Sequence, residues 1–363
     1  MQPNDALLLD FDSTLPPNAA PECLGEVTTP SGTLLVIDTG TLNLWSHDRV
    51  PLIEVGTLSN PRAEELANSA VDLMIEGPDA ITAGQSFNRQ WDPRFLYDIP
   101  AEGLPMMKSL FEQCVQGQGL TASLKEMAVR IPHRQRVDRA VEWGKGHGEV
   151  QYHGLTAPVV GGLPPDQAMK VYGVRMNHPD LQDRWRWVWL EVCSGMPTVK
   201  RQPVGHVAVD WARLMFADVD ALGQWMHEEP LDGKGDFLFW GRDSSIAASA
   251  TQAPQLAEGY GWLDLPLDEA AELGLKVEEI REQQRLKFIT DFRPHSHHYF
   301  VMRQVRSERT GSGVIDVGGA RMCVFMTSWG DGFYPVICDY GEKGQLLRVR
   351  IELGNLSGQE TPA

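Results

Sequence analysis

Short apolar runs bounded by turn residues mark three stretches of the chain. One is Gly32–Asp38, a second extends over residues 150–192, and a third fills the C-terminal part between glycine-rich turns. Runs of this length and spacing are typical of β-strands. We therefore predict strands near the start, in the middle and at the end of the chain.

Helical spacing of apolar residues marks three other stretches. A helix is expected to begin at Pro61, and a helical block is expected over residues 105–142, with breaks near Gly117–Gly119 and Pro132. A further helix is expected over residues 267–286. Helices and strands are thus clustered instead of strictly alternating. This arrangement favours an α+β fold of mostly antiparallel sheets with helices packed on one side.

Two stretches that lie 180 residues apart share a set of residues at identical spacing. The first set is Gly25, Val27, Leu34, Asp38, Leu42 and Trp45, and the second is Gly205, Val207, Leu214, Asp218, Leu222 and Trp225. Such an echo is typical of a duplicated unit. We predict that both stretches form the same strand–turn–helix-entry structure, with Trp45 and Trp225 buried alike.

The echo divides the chain into two related α+β halves, residues 1–200 and 201–363. The helical block lies in the first half, and the second carries the segment Ser328-Trp-Gly-Asp-Gly-Phe-Tyr-Pro335. Residues 60–200 are either an insertion or a separate module, and the sequence leaves both open.

Acidic residues outnumber basic ones, 49 against 32, which gives a formal net charge of -17 at pH 7. A surface of this sign repels phosphate, so general binding to nucleic acid is disfavoured, and it attracts a basic protein partner. The same charge also keeps a protein in solution without any partner. Charge alone therefore leaves both explanations open.

Nothing in the sequence predicts a membrane segment or an exported protein. The N-terminus lacks the basic and apolar regions of a signal peptide. No stretch approaches the roughly 18 apolar residues that span a bilayer. The five cysteines are scattered and form no CxxC pair, so they predict neither a disulfide framework nor a zinc site. We expect a protein of the reducing cytoplasm with no cofactor.

Three tryptophans, Trp185, Trp187 and Trp189, alternate with other residues in a predicted strand. At a period of two they would share one face of a sheet. That face either packs against the helices of residues 105–142 or forms an aromatic recognition surface that anchors a partner.

The segment from Leu7 to Leu15 contains Asp10-Phe-Asp12-Ser-Thr and resembles the first motif of haloacid-dehalogenase-like phosphatases. The resemblance implies that Asp10 attacks phosphorus and Asp12 acts as acid and base, with magnesium screening their charge. Gly330-Asp331 resembles the late Gly-Asp motif of that family. The sequence departs from the family because Asp339 is the first acidic residue after Asp331, and because residues 16–58 suggest a β-meander.

A second candidate for chemistry is the run of histidines after residue 294. In a strand, His295 and His297 would share a face and could bind a metal ion, although no third ligand has a diagnostic spacing. Hydrogen-bonded histidines on a partly exposed strand are the alternative. In an enzyme, His297 would pair with Asp291 or Asp331 as acid and base.

The segment around Gly330-Asp331-Gly332 is predicted to be a tight turn between adjacent strands, in which Asp331 accepts backbone N–H bonds. This segment, with Asp339 and Gly344 after it, resembles the C-terminal signature of bacterial domain-of-unknown-function family 4241.

Two earlier segments resemble other parts of the same family: Thr29-Pro-Ser-Gly-Thr-Leu34 with Asp38, and Val207-Ala-Val-Asp210 with Asp218. The sequence departs from the family at Thr39, where a proline is frequent, and at Trp211-Ala212, which replaces a Ser-Gly pair. The resemblance implies a role in bacterial toxin–immunity systems.

These observations together favour a non-enzymatic acidic binding protein, namely a cytoplasmic immunity or inhibitor protein that neutralises a cognate toxin. The alternative is a hydrolase, either a divergent magnesium-dependent phosphatase or an enzyme built on histidine and aspartate.

Overall fold

Residues 20–88, 90–176 and 180–354 are described by the computed structural model, and they form four antiparallel sheets together with helices. The predicted α+β class is therefore confirmed. No helix among these residues is long and apolar enough to cross a membrane.

The first half of the chain contains nine strands and four α-helices within the described residues. In chain order they are β1 (Glu22–Val27), β2 (Thr33–Asp38), α1 (Pro61–Asn68), β3 (Val71–Glu76), α2 (Ala80–Phe87), β4 (Phe95–Ile99), α3 (Leu104–Gln118), β5 (Ser123–Glu126), α4 (His133–Trp143), β6 (His147–Tyr152), β7 (Leu155–Gly161), β8 (Met169–Arg175) and β9 (Trp185–Glu191). Short 3₁₀ helices cover Thr39–Leu44 and Ala101–Gly103.

The second half contains ten strands and three α-helices within the described residues. In chain order they are β10 (Lys200–Val209), β11 (Arg213–Asp218), β12 (Lys234–Trp240), α5 (Ser244–Thr251), β13 (Gln255–Leu256), β14 (Gly259–Pro266), α6 (Leu267–Gln284), β15 (Ile289–Pro294), α7 (His297–Ser307), β16 (Ser312–Val317), β17 (Ala320–Met326), β18 (Gly332–Tyr340) and β19 (Leu346–Glu352). A 3₁₀ helix covers Ala221–Gln224.

The predicted helical block over residues 105–142 is made of α3 and α4, with β5 between them. Gly119 ends α3 in the left-handed conformation, at φ 66°, which glycine adopts without steric cost. Pro132 lies directly before α4. The two predicted breaks therefore coincide with the end of one helix and the start of the next.

The chain forms two compact units. Of the described residues, the first unit contains those up to Gly223 and those from Glu308 onwards, and the second is Gln224–Ser307. These units do not follow the expected division at residue 200. The reason is that strands from both halves of the chain pair in the same two sheets of the first unit.

Two six-stranded sheets enclose the main core of the first unit. Sheet 1 has the order β1-β8-β9-β19-β18-β10, and sheet 2 has the order β16-β17-β11-β2-β7-β6. The core contains buried side chains from both sheets, such as Val171 and Val336 from sheet 1 and Leu34 and Phe216 from sheet 2. Because β1 and β2 lie in different sheets, the start of the chain is not the β-meander that its sequence suggested.

Within the first unit, the strands of the two halves are related by a local two-fold axis between β2 and β11. These strands are antiparallel, and Val36 lies opposite Phe216, its counterpart 180 residues later. The strand order of sheet 1 is symmetric about its centre: β1, β8 and β9 of the first half correspond to β10, β18 and β19 of the second. The strands of the repeat agree with the prediction. Trp45 is buried and Trp225 is only half-buried, so the two are not buried alike.

The same correspondence extends to a smaller α+β element inside each half. Sheet 3, with the order β4-β3-β5, carries α2 and α3 in the first unit, and sheet 4, β13-β14-β12-β15, carries α5 and α6 in the second. The helices α2 and α5 have equal length and begin 164 residues apart, as do α4 and α7. The segment from β3 to β5 is therefore the counterpart of residues 234–294.

Candidate functional site

The three tryptophans of β9 do not share a face, so this prediction is wrong. The pairing of β8 with β9 contains an irregularity, in which Val174 faces Trp187 and Arg175 faces Trp185. The extra residue in β9 reverses the alternation of side chains. Trp185 consequently lies in the core between sheets 1 and 2 and not under α3 and α4.

The burial of these tryptophans limits their use as anchors for a partner. Trp185 is 1% exposed and Trp187 is 4% exposed, while Trp189 is half-buried beside Tyr172, with 5.7 Å between the ring centroids. Arg186 and Arg350 lie over the Trp187 ring, 4.4 and 5.6 Å from its centroid. We therefore assign these side chains to the fold.

The turn that contains Gly330-Asp331-Gly332 connects β17 of sheet 2 with β18 of sheet 1, so it is not a hairpin between adjacent strands. Its organiser is Thr327, which sequence reasoning missed. The Thr327 hydroxyl donates to the carbonyl of Gly330 at 2.9 Å and accepts the N–H groups of Gly330 and Trp329. Asp331 accepts a backbone N–H, but from outside the turn, because its Oδ1 is 3.1 Å from the nitrogen of Ala212, the residue before β11.

Two large aromatic side chains are exposed next to this turn. Phe333 follows it and is 72% exposed, and Trp211, next to Ala212, is 54% exposed. Asp210 and Asp331 are also exposed there. All four residues lie within two positions of the Ala212–Asp331 hydrogen bond, and we call them together the Trp211 surface (Asp210, Trp211, Asp331 and Phe333).

Trp211 is held firmly although its side chain is exposed. Its backbone N–H donates to Asp38 Oδ2 at 2.9 Å. Its ring lies so close to Gly40 that a Cβ atom on Gly40 would be 2.3 Å from Trp211 Cγ. Glycine at position 40 therefore makes room for the ring.

The local two-fold axis shows that the fold itself does not need an aromatic residue here. The counterpart of Trp211 is Ser31, whose N–H and hydroxyl donate to Asp218 Oδ2 at 2.8 and 2.7 Å. The counterpart of Gly40 is Asp220. A serine thus makes the hydrogen bond to the buried aspartate in the first half, so the fold does not require the large ring of Trp211 in the second half.

His297 does not share a strand face with His295, because β15 ends at Pro294 and His297 begins α7. The His297 Nδ1 accepts the N–H of Met226 at 2.9 Å, and its ring stacks on Trp225, 5.5 Å away between centroids. Burial lowers the pKa of His297, although the bond from Met226 opposes this shift. Asp291, a partner that the sequence suggested, accepts from Arg293 Nε at 2.6 Å.

The counterpart of His297 in the first half is His133, and it makes the same contacts. Its Nδ1 accepts the N–H of Ser46 at 3.0 Å, and its ring lies 5.1 Å from that of Trp45. Burial lowers its pKa as well. Because the arrangement recurs in both halves, we assign His297 to the fold.

His295 is the centre of a polar cluster in the second unit. It is 1% exposed and lies between two carboxylates: Asp232 Oδ2 is 3.0 Å from Nδ1, and Asp236 Oδ1 is 3.0 Å from Nε2. Burial alone would lower the pKa of His295, but the hydrogen bonds to Asp236 and Asp232 outweigh it and raise this pKa. Tyr299 donates to Asp236 Oδ2 at 2.6 Å.

Asp264 completes this group, which we call the His295 cluster (Asp232, Asp236, Asp264, His295 and Tyr299). The backbone N–H of Asp264 donates to Asp236 Oδ1 at 2.9 Å. Ligand atoms of Asp236, Asp264 and His295 all lie within 4.8 Å of one another. Two carboxylates and an imidazole at this spacing can bind a metal ion.

The first half has a corresponding cluster that contains a permanent cation. The N–H of Asp98 donates to Asp72 Oδ1 at 3.0 Å, as that of Asp264 donates to Asp236, and Asp98 and Asp264 both have φ 56°. Here the Arg136 guanidinium is 2.7 Å from Asp98 and 3.3 Å from Asp72, and Arg130 also pairs with Asp98.

Several of these residues were not found by sequence reasoning. Asp236 and Asp264 were missed because the predicted echo stopped at residues 45 and 225, and their signal is the spacing of Asp72 and Asp236, which is 164 residues instead of 180. The predicted nucleophile and acid of the phosphatase motif, Asp10 and Asp12, lie outside the described residues, so the structure gives no distance from them to Asp331.

Comparison of the chain with protein-family models, with curated proteins and with solved structures finds no match. The resemblance to family 4241 therefore stays a prediction.

Proposed function

We propose that this protein is an acidic, non-enzymatic binding protein whose partner is a basic protein. The resemblance to family 4241 adds the class of partner: a bacterial toxin that this protein neutralises in the cytoplasm as an immunity or inhibitor protein. All five cysteines are free thiols, which agrees with a reducing compartment.

The observation that carries the proposal is the exposed but fixed ring of Trp211. Residues that dominate binding energy are enriched in tryptophan, tyrosine and arginine. A side chain that is already held in place loses less conformational freedom when a partner binds. Asp38 and Gly40 hold Trp211 in this way, and Phe333 provides a second apolar contact.

The charge of the molecule supports a basic partner. Asp210 and Asp331 lie exposed beside the two rings, and the whole chain has a formal net charge of -17. Complementary charge mainly accelerates association, whereas desolvated aromatic contacts mainly slow dissociation. The two features therefore have separable kinetic effects.

The test measures association with the basic toxin encoded in the same gene neighbourhood, used as an inactive variant. We expect the association rate to fall by at least about tenfold between low salt and about 0.5 M salt, where charges are screened over a few ångströms. Trp211→Ala and Phe333→Ala should raise the dissociation rate at least about tenfold and leave the melting temperature unchanged. Met106→Ala, at another exposed position, is the matched control.

Three results would overturn the proposal. They are a neighbourhood without a basic protein that binds, an association rate that does not respond to salt, and equal dissociation rates for the wild-type protein and Trp211→Ala.

A further inference from the structure

The two halves of the chain place the same pair of aspartates in the same geometry but balance their charge differently. In the first half, Asp98 binds Arg130 and Arg136. Among the described residues, the carboxylate of its counterpart Asp264 makes no hydrogen bond or ion pair, and it is exposed to solvent. The second half therefore keeps the anionic pair without the arginines.

The residue that corresponds to Arg136 explains this difference. The helices α4 and α7 are equivalent, since His133 and His297 begin them and make the same backbone contacts. Counting from these histidines, Phe300 occupies the position of Arg136. Its ring lies 5.7 Å from that of His295 and carries no charge.

We propose that the His295 cluster binds a divalent transition-metal ion, with Asp236, Asp264 and the Nε2 atom of His295 as ligands. The ion replaces the proton of the hydrogen bond between Nε2 and Asp236 Oδ1, and this proton is released to solvent. The ion supplies the positive charge that the Arg136 guanidinium supplies in the first half. The inference is independent of the proposed partner binding, since the two rest on different residues.

The surroundings of His295 fit this role. A histidine that binds a metal ion through one ring nitrogen generally donates its other N–H to a carboxylate, which fixes the orientation of the ring. Asp232, 3.0 Å from Nδ1, is placed for that bond. Asp236 is fixed by Tyr299 and by the N–H of Asp264, so two of the three ligands are positioned in advance.

The mixed ligand set also indicates the class of ion. Imidazole nitrogen favours zinc and similar transition metals, whereas magnesium favours oxygen ligands in octahedral geometry. The three protein ligands leave positions for water, because Asp264 lies at the surface. We therefore expect Zn²⁺ to bind in preference to Mg²⁺.

The experiment is a calorimetric titration of the full-length protein with Zn²⁺, and with Mg²⁺ in parallel. Asp264→Asn should weaken Zn²⁺ binding at least about tenfold, and Asp232→Asn about 10–100-fold through the orientation of His295. Glu228→Gln removes an exposed carboxylate of the same unit outside the cluster and should bind Zn²⁺ as the wild-type protein does.

A second variant installs the arrangement of the first half. Phe300→Arg places a guanidinium toward Asp236 and Asp264, and it should abolish Zn²⁺ binding without lowering the melting temperature of the metal-free protein. The visible absorption of bound Co²⁺ gives an independent measure of nitrogen and oxygen ligation.

The proposal is overturned if Asp264→Asn binds Zn²⁺ as tightly as the wild-type protein, or if Mg²⁺ binds more tightly than Zn²⁺. It is also overturned if His298→Ala removes the binding, because the rings of His227 and His298 lie 4.4 Å apart and would then be the site.

Discussion

Asp38 and Asp218, on the strands that relate the two halves, each accept a hydrogen bond from the other half of the chain. Asp38 Oδ2 accepts the N–H of Trp211 at 2.9 Å, and Asp218 Oδ2 accepts the N–H of Ser31, the counterpart of Trp211, at 2.8 Å. Each aspartate also accepts, through Oδ1, the N–H of the residue two positions further along its own chain. The duplication is therefore visible in individual hydrogen bonds as well as in strand order.

Replacing either aspartate with alanine should destabilise the protein to a similar extent. Each carboxylate is buried and serves at least three N–H or O–H donors, which would lose their acceptor. We expect a loss of about 3 kcal/mol in the free energy of unfolding for Asp38→Ala and for Asp218→Ala. Urea denaturation measures this value, with the exposed Asp316→Ala as the control. Losses that differ by more than about 2 kcal/mol would contradict the equivalence of the two sites.

In the turn before β18, Thr327 should matter more for stability than Asp331. Thr327 is fully buried and makes three hydrogen bonds, whereas Asp331 is exposed and accepts one. Thr327→Val should lower the free energy of unfolding by about 2 kcal/mol, and Asp331→Ala by about 1 kcal/mol. Thermal and urea unfolding of both variants check the order. The reverse order would show that the turn is organised by Asp331.

Replacing a buried tryptophan with alanine should destabilise the protein more than replacing an exposed one. Trp185→Ala opens a cavity between sheets 1 and 2 and should cost about 3–5 kcal/mol of unfolding free energy. Trp211→Ala removes an exposed ring and should change this value by less than about 0.5 kcal/mol. Chemical denaturation with tryptophan fluorescence measures both. If Trp185→Ala is as stable as the wild-type protein, Trp185 is not part of the core and is again a candidate residue for partner binding.

Asp98 should stabilise the protein in a pH-dependent way. Burial opposes ionisation of its carboxyl group, but the Arg136 and Arg130 guanidinium groups outweigh burial and hold the pKa well below its ordinary value. The stabilisation is therefore fully present above the pKa of the unfolded chain, about 3.9, and is lost as the pH falls toward the lower pKa of the folded state.

The variant Asp98→Asn tests this dependence. Near pH 7 it should lose about 3–5 kcal/mol of unfolding free energy, because Arg130 and Arg136 lose their charged partner. The difference from the wild-type protein should shrink below about pH 4. Urea unfolding at several pH values provides the measurement. If the difference in unfolding free energy stays constant down to pH 2, the ionised carboxylate of Asp98 does not stabilise the protein.

The sequence by itself determined the α+β class, the start of α1 at Pro61, the end of α3 just before Gly119, and the duplicated strands around Asp38 and Asp218. These features depend on local rules. These rules are apolar periodicity, proline at a helix start and glycine in the left-handed conformation. Each involves residues that are close together in the sequence, so the sequence alone is enough to predict its effect.

Only the tertiary structure decided on which face of a strand each side chain lies and which distant residues come into contact. One extra residue in β9 moved Trp185 to the opposite face from Trp187, and the alternation of the sequence gives no sign of it. The contacts of His295 with Asp232 and Asp236 join residues about 60 positions apart. The pairing of β12 with β14 and β15 brings these residues together. Strand pairing joins segments that are far apart in the sequence, so no local pattern predicts it.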